Sequence, residues 1–418
     1  MAPVKTAHKP LNAYRVPAMF RNLSYKLTSA LSAPEAPTVK NSDGFTTAKK
    51  TEHLFPTTDP AIDGEDCLHD CASCSVHYPR KFDIDETEEL FGHVKGWSTH
   101  LIVATGKTDW VRDVADEKGS IMEAVDKGDV KPSNGKLMLS ASNMPVPDHS
   151  DHSSMVLLLP SWQFIDNVTP ATVPELIADY INPGPTNNTP FRARIAPSSA
   201  PSAPPEKSPS ATQTTATAPA TIPPSLPPTS TLKARPCPHK YLILMCSQKT
   251  RDARCGQSAP LLRKEFERLL RPLGLYRDLH DERPGGVGIY FISHVGGHKF
   301  SANVMVYRHS SVIQQPAQIN GSANGHANGS ANGHTNGAQE ALASLTLHDD
   351  AGQQVLLDAD KAHVAEGTGE AAQCIWLARV KPEDCENIIK YTVLQGKVVK
   401  PDRQLRGGFD RCKQLASW

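Results

Sequence analysis

The stretch Tyr241-Leu-Ile-Leu-Met-Cys-Ser-Gln-Lys-Thr-Arg-Asp-Ala-Arg-Cys-Gly-Gln-Ser-Ala-Pro-Leu-Leu262 decides how the rest of the chain is read. Residues 240–245 are a short apolar run of strand length, bounded by polar residues, which predicts a buried strand. Ser258 with Pro260 two residues on, and Leu262, Phe266 and Leu269 on one face, predicts a helix capped by Ser258. Downstream, 286–292 and 302–307 alternate as strands, 374–380 is another, and Pro382 opens a helix that runs through Ile388 and Ile389 to Tyr391. Strand, helix, two strands, strand, helix predicts an α/β fold of thioredoxin-like order, a small sheet with helices packed against it.

The same theme returns weakly upstream. His100-Leu-Ile-Val-Ala-Thr105 aligns with Tyr241 to Cys246, and 155–159 followed by Thr169 to Ile177 aligns with 374–381 followed by Pro382 to Ile389. Two thioredoxin-like domains in tandem are expected, at 55–182 and 237–418, with Thr105 standing where the second copy has Cys246. Residues 183–236, rich in Pro, Ser, Thr and Ala, are expected to be a linker. The Asn-Gly repeats mark 309–345 as a disordered insertion in the second domain.

At the start of the chain there is no Asp or Glu through Pro34, while Lys5, Lys9, Arg15, Arg21 and Lys26 are basic and Leu23, Leu27 and Leu31 recur at helical spacing. That pattern predicts a mitochondrial transit peptide within a disordered leader, 1–54, recognised by the import machinery and delivering the protein to the matrix.

Forty-four Lys and Arg balance forty-four Asp and Glu, with no stripe of one sign, which argues against a nucleic-acid partner. The longest apolar stretch, 155–160, is far short of the roughly 18 residues that cross a bilayer, so no transmembrane segment is expected. Nine cysteines are an odd number at irregular spacing, unlike a disulfide scaffold, and point to metal or redox use. A Gly-rich nucleotide fingerprint, a nucleophile elbow and paired carboxylates are all missing from the sequence, which leaves a hydrolase or a nicotinamide enzyme without support.

Two close pairs carry the chemistry. Cys246 and Cys255 stand at a strand end and just before a helix, where a helix N-terminus favours the thiolate of Cys255. His294 and His298 flank Gly296 and Gly297. Two thiolates and two imidazoles make a four-ligand set. Zinc accepts Cys2His2, but its cysteine pairs usually come from tighter knuckles than the eight residues between Cys246 and Cys255. A [2Fe–2S] cluster spreads its ligands over two irons and tolerates two His for two Cys. It is the cofactor the spacing favours. Two thiolates on a 2+ core give a neutral oxidised site, so its potential is expected well above that of all-Cys ferredoxins, with Lys249, Arg251, Arg254 and Lys299 pushing the same way.

Cys246, the Arg-Asp-Ala-Arg-Cys255 run, Ile292-Ser-His-Val-Gly-Gly-His298-Lys-Phe-Ser-Ala-Asn303 and Leu405-Arg-Gly-Gly-Phe409 together resemble the sucrase/ferredoxin-like family. The resemblance implies a thioredoxin-like ferredoxin fold in the C-terminal half. It implies a bis-histidinyl, non-Rieske [2Fe–2S] cluster held by Cys246, Cys255, His294 and His298. It further implies a mitochondrial role in electron transfer or thiol redox homeostasis, with no defined substrate, and more an electron-transfer protein than an enzyme.

A second dense group, Asp66-Cys67-Leu-His69-Asp-Cys71-Ala-Ser-Cys74-Ser-Val-His77, offers redox thiols at Cys67, Cys71 and Cys74. Cys71-x-x-Cys74 spacing permits a disulfide and lowers a thiol's pKa, and zinc binding with His69 or His77 is comparable. Two other functions therefore stay open: a thioredoxin-type disulfide oxidoreductase using Cys71 and Cys74, and a zinc-stabilised binding module. Cys237, Cys374, Cys385 and Cys412 have no metal-like pairing.

Overall fold

The computed structural model describes residues 45–146, 153–190, 231–313 and 369–418. Most of the leader, most of the expected linker and most of the Asn-Gly insertion lie outside them. The fold is mixed α/β. Among the described residues thirteen strands form one sheet: β1 Thr46–Thr47, β2 Thr99–Ala104, β3 Leu137–Ser142, β4 Ser154–Leu159, β5 Gln163–Val168, β6 Lys233–Pro236, β7 Tyr241–Cys246, β8 Tyr276–Arg277, β9 Val287–Ile292, β10 Val304–His309, β11 Ala371–Leu377, β12 Leu405–Asp410 and β13 Leu415–Ala416.

The sheet reads β1-β13-β12-β11-β10-β7-β9-β3-β2-β4-β5-β6, with β8 on β9. Its two halves repeat one topology. In the N-terminal half β2 pairs parallel with β3 and antiparallel with β4, which pairs antiparallel with β5, then β6. In the C-terminal half β7 pairs parallel with β9 and antiparallel with β10, which pairs antiparallel with β11, then β12. The first strand of each half leads into a helix, Ile121–Lys127 or Ala253–Leu270, and a helical run follows β5 and β11. A single bridge, Ser142 to Ile292 between β3 and β9, makes the two half-sheets continuous.

The internal match found in the sequence is right for β2 against β7 and for the helical runs beginning at Pro170 and Pro382. It is one strand out elsewhere, because β4 corresponds to β10, and β11 corresponds to β5. The polar faces of β5 hid it: its side chains read Gln-Phe-Ile-Asp-Asn-Val, with too few apolar residues to stand out.

Apolar residues occupy three layers. One core lies between the helix Ala253–Leu270 and the outer face of the C-terminal half, through Leu262, Phe266, Ile289 and Ile388. A second does the same for the N-terminal half through Val125, Leu158 and Ile177. The third joins the inner faces of both, with Ile102, Leu157, Leu244, Tyr307 and Trp376. Within that shared core His100 of β2 places Nδ1 at 3.0 Å from the Tyr307 hydroxyl of β10 and Nε2 at 2.9 Å from the Ser140 hydroxyl. Burial lowers the His100 pKa to about 3, so the ring is neutral at ordinary pH and both nitrogens are satisfied.

Further sequence expectations are corrected. The long helix begins at Ala253, with Asp252 as its cap accepting from the Arg254 amide, and Pro260 sits inside it rather than in its first turn. A carboxylate next to the first turn outcompetes Ser258 as a cap because it also favours the positive end of the helix dipole. Residues 45–54, placed in the leader, are folded: Thr46 and Thr47 pair with Leu415 and Ala416, and Leu54 is buried. Lys233–Pro236, placed in the linker, is an edge strand on β5, where Pro is tolerated.

The segment before β2, grouped in the sequence with the N-terminal domain, packs on the C-terminal half. The Cys71 amide donates to Glu383 O, the Tyr78 hydroxyl to Val380 O and the Asp85 amide to Lys299 O.

Candidate metal centre

Cys246 is the last residue of β7, and Cys255 is the third residue of the helix Ala253–Leu270. The loop between them is fixed by the other half of the molecule. Ser247 Oγ donates to Thr108 O at 2.7 Å, Gln248 Nε2 to Val111 O at 2.5 Å and Thr250 Oγ1 to Asp109 Oδ2 at 2.8 Å. Gln248 is buried and its Oε1 accepts from the His294 amide at 2.9 Å. One side chain therefore ties the N-terminal half, the cysteine loop and the histidine loop together.

His294 lies two residues past β9, and His298 opens the turn His298–Phe300, with their ring centroids 5.1 Å apart. Gly297 precedes His298 in left-handed conformation, φ 70°. A Cβ there would stand 2.5 Å from Arg406 Nη1, so both the backbone angle and the close approach require glycine.

The two thiols are buried and interact. The Cys255 thiol is lowered to about 5, first by the Cys246 thiol and then, against burial, by the His294 ring and the Ser301 hydroxyl. Cys246 moves the other way, raised by its hydrogen bond to Cys255 and by burial. Of the two, Cys255, in the first turn of a helix, is therefore the one favoured as a thiolate.

Both histidines leave Nδ1 shielded from water and without a hydrogen-bond partner. A buried polar atom left unpaired is costly, and an imidazole nitrogen without a hydrogen-bond partner is available to a metal. His298 also sets Nε2 at 3.9 Å from Asp252 Oδ2, and its pKa is lowered by burial and then by His294. The four predicted ligands are therefore gathered at the end of β7, the start of the helix and the loop after β9, as two pairs. Among the described residues no three His, Cys, Asp or Glu side chains are grouped as they would be about one ion.

The surrounding cations differ from expectation. Arg254 is paired with Asp252 at 2.8 Å and Lys299 with Glu88, so two of the four expected basic neighbours are neutralised. Gln248, Asn303 and Arg406, which support the site from beneath, were not singled out from the sequence. Their only signal was position, since Asn303 and Arg406 lie inside motifs that carry the family resemblance and Gln248 lies between Cys246 and Cys255.

Cys67, Cys71 and Cys74 lie elsewhere. Cys67 is fully buried in the turn Glu65–Leu68. Cys71 Sγ is 3.3 Å from Ser73 Oγ and 3.8 Å from Arg268 Nη2, and Cys74 Sγ donates to Val76 O at 3.2 Å. Burial, then Glu265, raises the Cys74 thiol, the opposite of the shift that C-x-x-C spacing suggested. Arg268 is thirteen positions beyond Cys255 on the same helix, about 20 Å along its axis. Cys385 packs beside this group and is raised by burial, Cys374 is buried in β11, and Cys412 is exposed.

In the N-terminal half the corresponding place is a cavity of about 250 Å³ lined by Thr105, Lys107, Ser120 and Ser154, without His or Cys. The four candidate ligands all lie in the C-terminal half.

Residues 90–407 match the family model described as Sucrase/ferredoxin-like. Actin patches distal protein 1 of Saccharomyces cerevisiae is 29% identical over 271 residues, 60% of this chain and 74% of that protein. Altered inheritance of mitochondria protein 32 of Clavispora lusitaniae is 42% identical over 69 residues, 16% of this chain and 22% of its own length. The protein of the same name from Debaryomyces hansenii is 40% identical over 68 residues, 16% of this chain and 21% of its own. No solved structure matches the chain.

Proposed function

Since this chain belongs to the sucrase/ferredoxin-like family, we propose that it is a mitochondrial [2Fe–2S] protein acting in electron transfer or thiol redox homeostasis, with Cys246, Cys255, His294 and His298 as ligands. The observation that carries this is the pairing of the donors: two buried, interacting thiols, of which Cys255 is pushed toward its thiolate, and two imidazoles whose Nδ1 atoms are shielded from water without a hydrogen-bond partner. A cluster with two irons takes two protein ligands per iron, so it needs two pairs rather than three or four groups about one point. When bound there, the cluster supplies a one-electron couple.

The remaining chemistry belongs to the chain. Both cysteines would bind as thiolates, Cys246 being the harder of the two to deprotonate, so loading becomes harder as pH falls. Gln248 and the N-terminal loop hold the histidine backbone from one side and exclude water from the thiols. Asp252 faces the outer nitrogen of His298 and favours a proton there. A ligand imidazole that keeps its outer N–H in the reduced state and loses it in the oxidised state couples electron to proton. The midpoint potential is therefore expected to fall as pH rises through that loss, in a mediated titration repeated across neutral and alkaline pH. A midpoint independent of pH would remove the coupling and the role given to His298 and Asp252.

The β-α-β-β-β-α order of each half, with its first strand between the second and third, supports two thioredoxin-like domains fused through β3 and β9. The basic stretch without Asp or Glu through Pro34 and the local matches to two proteins named for mitochondrial inheritance support a mitochondrial location, and the matrix is the compartment proposed. The raised Cys74 thiol and the distance of the Cys71 group from the ligands give no support to direct disulfide exchange there.

A further inference from the structure

Arg406, in β12, is 7% exposed. Its Nη1 donates to Gly296 O at 3.0 Å and to Asn303 Oδ1 at 2.9 Å, and its guanidinium stacks over Trp376, 4.3 Å from the ring centroid. Asn303 completes the frame: its Nδ2 donates to Gly297 O at 2.9 Å and its Oδ1 accepts from Trp376 Nε1 at 3.2 Å. Phe300 lies on a further side of the guanidinium, at 5.7 Å.

Burial is what acts on this group, lowering its pKa to about 10, which leaves it charged at neutral pH. Among the described residues no carboxylate forms an ion pair with it. A buried cation without an anion is normally selected against, because the lost hydration is not replaced by an opposite charge. Here the cation is held against the two glycines that join His294 to His298, while Arg254 and Lys299 nearby are already neutralised by Asp252 and Glu88. The missing anion is the one a reduced cluster would supply.

We infer that Arg406 is a positioning residue and counter-charge for this site: it braces the His294–His298 loop through Gly296 and Asn303, and its buried charge raises the reduction potential of the cluster. The inference rests on the iron–sulfur reading above. One electron from the titrant takes the core from 2+ to 1+, and with two thiolates the site passes from neutral to a single negative charge. No bond is formed or broken, and at the low-pH plateau no proton moves. A fixed cation within a low-dielectric interior favours the second state, with little screening by salt.

The test uses the full-length, iron-loaded protein titrated optically with dithionite as reductant. Arg406→Gln is expected to lower the equilibrium constant for reduction at least tenfold, about 59 mV for one electron. Arg406→Lys, which keeps the charge but loses the planar fork, is expected to recover most of that loss. A purely structural brace would make Lys as poor as Gln, because Lys cannot span Gly296 and Asn303 in the same way. An unchanged midpoint in Arg406→Gln, or Lys behaving as Gln does, overturns the inference. If Arg406→Gln fails to hold iron, Asn303→Asp neutralises the retained arginine and must also lower the midpoint, and an unchanged midpoint there overturns it equally. A wild-type protein that takes up no iron overturns the reading beneath, and this inference with it.

Discussion

If the proposed [2Fe–2S] cluster is present, Cys255→Ser is expected to lose iron and visible absorption altogether, and His294→Ala to do the same, while Cys67→Ser and Cys71→Ser keep both. The effect is large because in the proposed cluster each iron would depend on two protein donors, and Cys255 is the thiol pushed toward its thiolate. Serine keeps the shape but not the charge, since a hydroxyl does not ionise near neutral pH. The Cys71 variant is an informative control, as its side chain contacts Arg268, about 20 Å along the helix from Cys255. Iron analysis and absorption spectra of the four anaerobically purified proteins check this. Iron retained by Cys255→Ser, or lost from Cys71→Ser, would move the site elsewhere.

The second large effect concerns the strand beneath the site. Gly408 has φ 140°, and a Cβ added there would lie 1.9 Å from the Cys374 carbonyl oxygen across the β11–β12 pairing. Neither backbone can give way without breaking the register from Gln373 to Leu377. Gly408→Ala combines an unfavourable backbone angle, about 1–2 kcal/mol, with overpacking of about 1–3 kcal/mol. A loss of about 3 kcal/mol is a large part of the 5–15 kcal/mol that typically holds a domain. Urea unfolding should show a clearly lower midpoint or a protein that does not fold. A wild-type midpoint would mean that β11 and β12 do not pack as described.

Much of this was legible before any coordinates. The strand ending at Cys246, the His294–His298 loop and the helix after Pro382 were read from apolar runs, glycines and caps, which are local signals. The four candidate ligands were legible as two close pairs. What escaped was non-local. Nothing in Lys233-Ala-Arg-Pro236 announces a strand, since its pairing partner β5 is what makes it one. The fusion of two half-sheets rests on a single bridge between Ser142 and Ile292, and no periodicity encodes it. Nothing in Leu405-Arg-Gly-Gly-Phe409 signals that Arg406 is buried. Its burial follows from Trp376 in β11 and from Phe300 and Asn303 in the loop before β10, two other parts of the chain. The Cys71–Cys74 spacing suggested an activated thiol, but burial beside Glu265 raises Cys74 instead. Spacing fixes which groups can meet, and the surroundings fix their ionisation.

Iron, acid-labile sulfide and zinc, measured per chain on the wild-type protein purified without oxygen, test the central proposal most directly. Two irons and two sulfides per chain with no zinc is the predicted result. One zinc with neither iron nor sulfide would contradict it and make the site a structural clasp.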